Sequence, residues 1–371
     1  MAQGADGDIA DGRVARIGLV GFGVAGSAFH APLIHTTPGL ELAAVVVRDP
    51  GRAAAVRARY PGAEVVPAVE DLWRLGLDAV TLATPNATHV PLALSAIEDG
   101  GVGVVVDKPL APTAEQGRQL VAAAAARGVP LTVYLNRRWD GDFLTVQQLV
   151  ADGALGSIRR FESRFERWRP DVVDSWKERA APGEAGGILF DLGPHLIDQA
   201  VQLFGPVSQV YAEVAATRTG ATNADDVFLA LRHSAGGVLS HLYASAVAAD
   251  LGPRFRLLGD AGGYSVRGLD PQEAQLRSGA DPSSAGAEWG RVPPASWGVR
   301  SGAGGDSGGG ESPVRVPTRP GDYGEFYRRW AATLLEGAPV PVDPSDAVYG
   351  LTIVEAAVRA SSDRLIVAVG P

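Results

Sequence analysis

Two residues of this 371-residue chain stand out as placed for proton and charge transfer, Lys108 and His195. Lys108 follows the β-branched run Val104-Val105-Val106 and Asp107, and precedes Pro109. Of 33 basic residues only Lys108 and Lys177 are lysines, and the others are arginines. Arginine is effectively never deprotonated in proteins, whereas burial can tune a lysine to exchange a proton near neutrality. A lysine kept after a buried run, in a chain that otherwise avoids the residue, points to a chemical requirement. His195 stands four residues after Asp191 and three before Asp198. Gly193-Pro194 suits the first turn of a helix, so His195 is expected near a helix N-terminus, where the dipole disfavours the imidazolium. A neutral imidazole is what a base removing a hydroxyl proton must be. On such a helix His195, Asp198 and Gln202 share one face, with Ile197, Val201 and Phe204 on the buried side.

The elements that must position these groups are legible as two patterns. Arg16–Val20 reads as a strand, and Gly21-Phe22-Gly23-Val24-Ala25-Gly26 follows it at once. That is a G-x-G-x-x-G turn between strand and helix, which brings backbone N–H groups to a pyrophosphate. Strands at Glu41–Val47, Glu64–Val66, Ala79–Ala83, Val102–Val106 and Pro130–Leu135 alternate with helices at Arg52–Tyr60, Glu70–Leu75, Val90–Asp99 and Thr113–Arg127. Alternation of this kind predicts a doubly wound parallel sheet, with ligands beyond the carboxyl ends of its strands. Thr84-Pro85-Asn86 and Asp107-Lys108 lie at two such ends, and His89 follows closely. All are expected to face a nicotinamide dinucleotide. The second strand ends Val45-Val46-Val47 and continues Arg48-Asp49, so Arg48 is placed to meet a 2′-phosphate and NADP is favoured over NAD. Asp49 is the residue that would instead favour NAD.

Beyond Leu135 the pattern changes. A helix is expected from about Asn136 to Ala151, and period-two stretches at Ile158–Arg169, Val207–Arg218, Asp226–His233 and Gly237–Ala246 read as neighbouring antiparallel strands of an open sheet. Helices at Tyr323–Leu335 and Ser345–Ser361 and a strand at Leu365–Val369 close the chain. Residues 1–12 read as a disordered leader, 13–135 as the dinucleotide-binding domain, and 136–371 as a substrate and oligomerisation domain with a flexible loop at about 278–313. Trp289 and Trp297 in that loop are candidates to close over substrate or a partner subunit.

The glycine turn, the acid-Lys-Pro at the fifth strand and Gly186-Gly187-Ile188-Leu189-Phe190-Asp191-Leu192-Gly193-Pro194-His195, in that order, resemble the Gfo/Idh/MocA oxidoreductases. Phe29-His30-Ala31-Pro32-Leu33, Asn136-Arg137-Arg138-Trp139-Asp140 and Gly252-Pro253-Arg254 are similar to the NADP-dependent scyllo-inositol dehydrogenase branch. Asp107 departs from the pattern, where glutamate is commoner. The resemblance implies a Rossmann domain followed by an α/β domain on an open, mostly antiparallel sheet. It implies Lys108, Asp191 and His195 as catalytic residues, no metal, and hydride transfer between NADP or NAD and a ring hydroxyl of a polyol or sugar. Tyr134, Asn136, Arg138 and Trp176, with Asp191 and His195, are the candidate substrate contacts, because they combine donors with flat apolar surface. An aldose, nucleotide sugar or cyclitol substrate, or a cofactor-binding regulator without catalysis, are the alternatives.

Composition bounds the rest. A net charge of −9 argues against nucleic acid as partner, zero cysteines exclude disulfides and thiolate metal sites, and 46% hydrophobic with 20% charged residues fits a globular domain pair. No apolar run reaches the roughly 18 residues of a membrane span. A cytoplasmic location and a homodimer or higher homo-oligomer are expected, since an open sheet leaves one face to cover.

Overall fold

The computed structural model describes residues 12–173, 175–180, 183–284, 286–302 and 312–370. The leader expected at 1–12 therefore lies almost wholly outside the described residues. Among those described, the first sheet contains β1 (Ala15–Val20), β2 (Leu40–Val46), β3 (Glu64–Val66), β4 (Ala79–Leu82), β5 (Gly103–Asp107) and β6 (Leu131–Tyr134). Their order is β3-β2-β1-β4-β5-β6, and every pairing is parallel. Between β1 and β4 the strand order reverses, which opens a crevice beyond their carboxyl ends. Val104, Val105 and Val106 are fully buried, as β-branched residues covered on both faces of such a sheet must be.

Helices α1 (Ala31–Thr36, continuing a π turn from Ala25), α2 (Pro50–Arg59), α3 (His89–Ser95) and α4 (Ala114–Arg127) supply the crossovers. The Asp49 carboxylate accepts the Arg52 N–H at 2.8 Å and caps α2, with Pro50 in its first turn. The helix expected at Glu70–Leu75 is a single 3₁₀ turn, Glu70–Arg74.

Helix α5 (Gly141–Ala151) leads into the second half, with β7 (Ile158–Glu166), α6 (Trp176–Arg179), α7 (Gly187–Phe204), β8 (Val207–Ala215), β9 (Asp226–His233) and β10 (Leu239–Ser245). The hairpin β11 (Phe255–Gly259) and β12 (Gly262–Val266), then α8 (Gln272–Arg277), β13 (Gly298–Gly302) and β14 (Val314–Val316), extend it. Helices α9 (Gly324–Glu336) and α10 (Pro344–Asp363) and β15 (Val367–Ala368) complete the chain. The second sheet runs β14-β13-β12-β11-β7-β10-β9-β8-β15. It is mixed, because β7 pairs with β10 in parallel while the other pairings are antiparallel. This is the open, mostly antiparallel sheet that was expected, with β7 and β10, both read as antiparallel neighbours, as the one parallel pair among the described residues. The crossover through α7 is what returns the chain to the sheet in the same direction.

Two further expectations change. Within 278–313, Gly298–Gly302 pairs with β12, and Trp289 packs against the first core while its indole N–H donates to Gln272 at 3.2 Å. Residues 303–311 lie outside the described set. Helix α7 starts at Gly187, so Pro194 lies inside it. Proline there removes the bond its N–H would give to the Phe190 carbonyl. Burial of Ile188, Leu189, Leu192, Leu196, Ile197 and Ala200 holds the helix together despite that loss.

The first core also takes in Tyr323, Phe326, Tyr327 and Trp330 from α9 and the residue before it. Helix α10 packs on α4, α7 and β8, joining the two halves.

Candidate active site

Lys108 leaves the end of β5 and reaches α7. Its Nζ donates to the Asp191 carbonyl at 2.6 Å and to Asp191 Oδ1 at 2.8 Å. Both side chains keep some access to solvent, 16% and 21%, so the pair lines a cleft and is not sealed in a core. His195 stands one turn further along α7 and on the same face. It is buried, and its Nδ1 has no hydrogen-bond partner. Burial, then the charges of Lys108 and Arg137, hold its pKa well below the ordinary imidazole value. The ring is therefore neutral, but not because of a helix terminus: His195 sits in the interior of an 18-residue helix. The expected cause was wrong, and the expected charge state stands on burial.

Asp107 turns its Oδ1 back to accept the Lys108 N–H at 2.8 Å. Burial opposes its charge, yet His30, Lys108 and His89 outweigh that and hold the carboxyl below its usual range. His89 is completely buried, with Nδ1 2.8 Å from the Pro109 carbonyl and Nε2 2.9 Å from the Thr84 carbonyl. Both ring nitrogens face backbone carbonyls, and the neutral ring donates to one of them at a time, so His89 packs between the ends of β4 and β5 and turns no ring nitrogen to a cofactor. Asn86 likewise donates to the Ala185 carbonyl at 2.8 Å, a tie between the halves. Thr84 is half-buried and accepts from the Thr88 hydroxyl at 2.7 Å, while Pro85 is exposed.

The glycine turn has the shape a dinucleotide requires. Gly21 has φ +97°, and a Cβ there would lie 2.6 Å from the Ala83 carbonyl oxygen. A Cβ on Gly26 would lie 2.1 Å from the Gly21 carbonyl oxygen, whereas a Cβ on Gly23 would meet nothing within 4 Å. The outer two glycines thus let the chain close on itself, and the middle one faces the open space where a pyrophosphate fits. Phe22 turns inward onto Tyr60, Ala25 is partly buried, and Val24 is exposed. Arg48 is exposed just beyond β2. Asp49 is committed to capping α2.

Of the candidate substrate contacts, Tyr134 belongs to the first core, its ring 4.5 Å from His30 and 4.9 Å from Phe326. At the end of β6 its side chain turns inward beneath α9 instead of out to the cleft. Arg138 is fixed by Asp198 at 2.9 and 2.6 Å and by Asp346 at 2.7 Å, an ion-paired lock between α7 and α10. This also explains why Asp198 is unavailable to His195. Asn136 is buried in the 3₁₀ turn Asn136–Trp139. The Trp176 side chain lies outside the described residues.

Residues to which the sequence reading assigned no role at the site surround this centre. Arg137 pairs with Glu273 at 2.5 Å and lies over the Phe165 ring at 4.6 Å. Arg254, 2% exposed, is sandwiched between Phe165 and Phe255 and donates to Gln199 Oε1 at 2.8 Å and Ser163 Oγ at 2.6 Å. Gln199, one turn beyond His195, in turn donates to the Arg137 carbonyl at 2.8 Å. Arg167, just beyond β7, is half-buried and continues its inward face, whereas Arg169 is exposed. The alternation Phe161, Ser163, Phe165, Arg167 is the signal that could have found them.

A switch-point crevice with a dinucleotide turn, and a Lys-Asp pair beside a neutral histidine, define an oxidoreductase on a nicotinamide-type Rossmann fold. The comparisons agree. Residues 15–135 match the model for the oxidoreductase family with an NAD-binding Rossmann fold, and residues 143–265 match a GFO/IDH/MocA C-terminal domain. The chain belongs to the Gfo/Idh/MocA oxidoreductase family. It is 38% identical to the uncharacterized oxidoreductase YdgJ of Escherichia coli, over 94% of this chain and 97% of that one. To the scyllo-inositol 2-dehydrogenase (NADP(+)) IolW of Bacillus subtilis it is 34% identical, over 94% of each. The solved structure of yvaA from Bacillus subtilis superposes with a TM-score of 0.90 at 32% identity, covering 97% of this chain and 99% of that one.

Proposed function

We propose that the chain is an NADP-dependent dehydrogenase of a secondary alcohol on a cyclic polyol or sugar, with Lys108, Asp191 and His195 as its catalytic residues. The observation that carries this reading is the Lys108–Asp191 pair at 2.8 Å, on the helix face that also presents His195. When bound, the nicotinamide supplies the hydride acceptor. The chain's own residues handle the proton and the charge. Neutral His195 takes the hydroxyl proton as general base. Lys108 Nζ, which already holds two oxygens of Asp191, stabilises the alkoxide that develops, usually the largest charge effect at such a centre. Asp191 keeps Lys108 oriented until substrate enters. Arg48 supports NADP, because its guanidinium is exposed just beyond β2, where Asp49 has one carboxylate oxygen engaged in capping α2. The relatives named scyllo-inositol 2-dehydrogenase, D-apiose dehydrogenase and inositol 2-dehydrogenase support the substrate class.

A homodimer through the outer face of the second sheet completes the proposal. That face carries Tyr211, Phe228 and Tyr243 and a groove of about 540 Å³ bordered by Glu166, Glu213 and Asp226. Light scattering of the purified chain tests it, and a monomer at micromolar concentration rejects it.

For the reaction, absorbance at 340 nm is followed with NADP and then NAD against inositols and aldoses. Turnover of a polyol with NADP is expected. Lys108→Arg keeps the charge and removes the titration, and a fall in kcat of about 10²-fold or more is expected. Full activity in that variant would reject the role given to the lysine.

A further inference from the structure

The chain just beyond β7 carries a charge that the reaction above does not use. Phe161, Ser163 and Phe165 are buried on the face of β7 that meets α7. The chain stays extended beyond them: the Arg167 N–H donates to the Ser245 carbonyl at 2.9 Å, and the Arg167 carbonyl accepts from Ala248 at 3.2 Å. By the alternation of an extended chain, Arg167 therefore continues the inward face, while Trp168, 57% exposed, points away. Phe165, two residues before Arg167 on that face, lies under the guanidinium groups of Arg137 at 4.6 Å and Arg254 at 3.9 Å, so the face that Arg167 continues is the one lined by the charges around the site, with Asp191 the foremost charge favouring its cation.

Around it the charges do not balance. Asp191 is bonded to Lys108 at 2.8 Å, and Glu273 to Arg137 at 2.5 Å and to Arg277 at 2.9 Å. Among the described residues, the half-buried Arg167 guanidinium has no bonded carboxylate of its own, since both acids that act on it are bonded to other cations. A guanidinium withdrawn partly from water without a counter-ion is unfavourable, and it is most readily satisfied by an oxyanion held through its planar fork.

We propose that Arg167 binds an anionic group on the substrate, so that an acidic sugar or cyclitol is turned over in preference to its neutral counterpart. This rests on reading Lys108, Asp191 and His195 as the reacting centre. The anionic group is an oxyanion, carboxylate or phosphate, and matched probes distinguish the two.

The test compares NADP reduction with D-glucuronate against D-glucose, and with myo-inositol 1-phosphate against myo-inositol. Wild-type chain, Arg167→Gln and Arg167→Lys are used, with circular dichroism and melting to verify folding. The acidic member of at least one pair is expected to show kcat/KM about tenfold or more above its neutral partner. Arg167→Gln should remove most of that ratio, and Arg167→Lys should retain part of it, since it keeps the charge and loses the fork. A ratio near one in the wild type, or one that Arg167→Gln leaves in place, overturns the proposal. If no member of either pair reduces the cofactor, the reaction assigned above fails instead. Calorimetry of glucuronate and inositol phosphate on the NADP-loaded chain then decides the anion site by itself. Binding about tenfold weaker in Arg167→Gln supports it, and equal or absent binding in both chains overturns it.

Discussion

The two halves of the molecule place their chemistry in different ways. In the parallel sheet, the functional atoms sit at strand ends and in one glycine turn, positions that follow from chain order alone. In the mixed sheet, they sit on one helix face and one strand face, and they are organised by partners distant in sequence. Lys108 and Asp191 are 83 residues apart, Arg137 and Glu273 136 apart, and Arg138 and Asp346 208 apart. On the reading proposed above, the first half would hold a cofactor with backbone, and the second a substrate with charged side chains whose positions depend on ion pairs. Damage to the two halves should therefore read out differently.

The largest contrast is expected at His195. His195→Asn removes the base while fitting the same space, so kcat should fall by roughly 10²- to 10⁴-fold with cofactor affinity retained. Steady-state kinetics with separate titration of cofactor and substrate checks this, and a loss confined to cofactor binding would break the contrast. Arg138→Ala tests the ion-pair lock. It leaves Asp198 buried and unpaired, which should cost about 3–5 kcal/mol in urea unfolding. Burial already raises the Asp198 carboxyl, and Arg138 is what opposes that rise. If stability is unchanged and only substrate KM rises, Arg138 is a substrate contact after all.

On the cofactor side, two glycines should separate. Gly26→Ala puts a Cβ at 2.1 Å from a carbonyl oxygen and should disrupt the turn, whereas Gly23→Ala enters open space. The Gly23 variant should fold normally and lose about tenfold or more in NADP affinity, because the methyl occupies room the pyrophosphate needs. Fluorescence titration measures it, and unchanged affinity would mean that the dinucleotide does not cross that turn.

The smallest effect is thermodynamic. The folded-state pKa of His195 is depressed, so the unfolded chain binds the extra proton first as pH falls. The stability contributed by the neutral ring is present above the ordinary imidazole value of 6.5 and is lost as pH falls from there towards the folded-state value. His195→Asn should flatten the decline of Tm below pH 6.5. His89 and His233 are depressed too, so part of the slope should remain. An unchanged slope would show that His195 is not held neutral by the fold.

Much of the cofactor half was legible because its signals are local. The glycine turn, the β-branched run before Lys108 and the alternation of strands with helices are each visible within a short window. His89 misled because proximity to a strand end is also local information, whereas the two carbonyls that engage its ring come from different strands. Pro194 misled in the same way. Proline favours a first turn by intrinsic geometry, and only the buried apolar face of α7 permits it inside a helix. Tyr134 and Arg138 had the right chemistry for a sugar, but packing beneath α9 and pairing with Asp198 and Asp346 took them out of the cleft.

Sequence alone determined that this chain carries a dinucleotide turn, a lysine aimed beyond a parallel strand, and an aspartate and histidine one helical turn apart. Those depend on backbone geometry and periodicity, which neighbouring residues dictate. Only the tertiary structure decided which charges are neutralised and which remain for a ligand. Burial and pairing are set by residues distant along the chain: Asp198 goes to Arg138, Glu273 to Arg137 and Asp191 to Lys108, and Arg167, half-buried, shares none of these bonds.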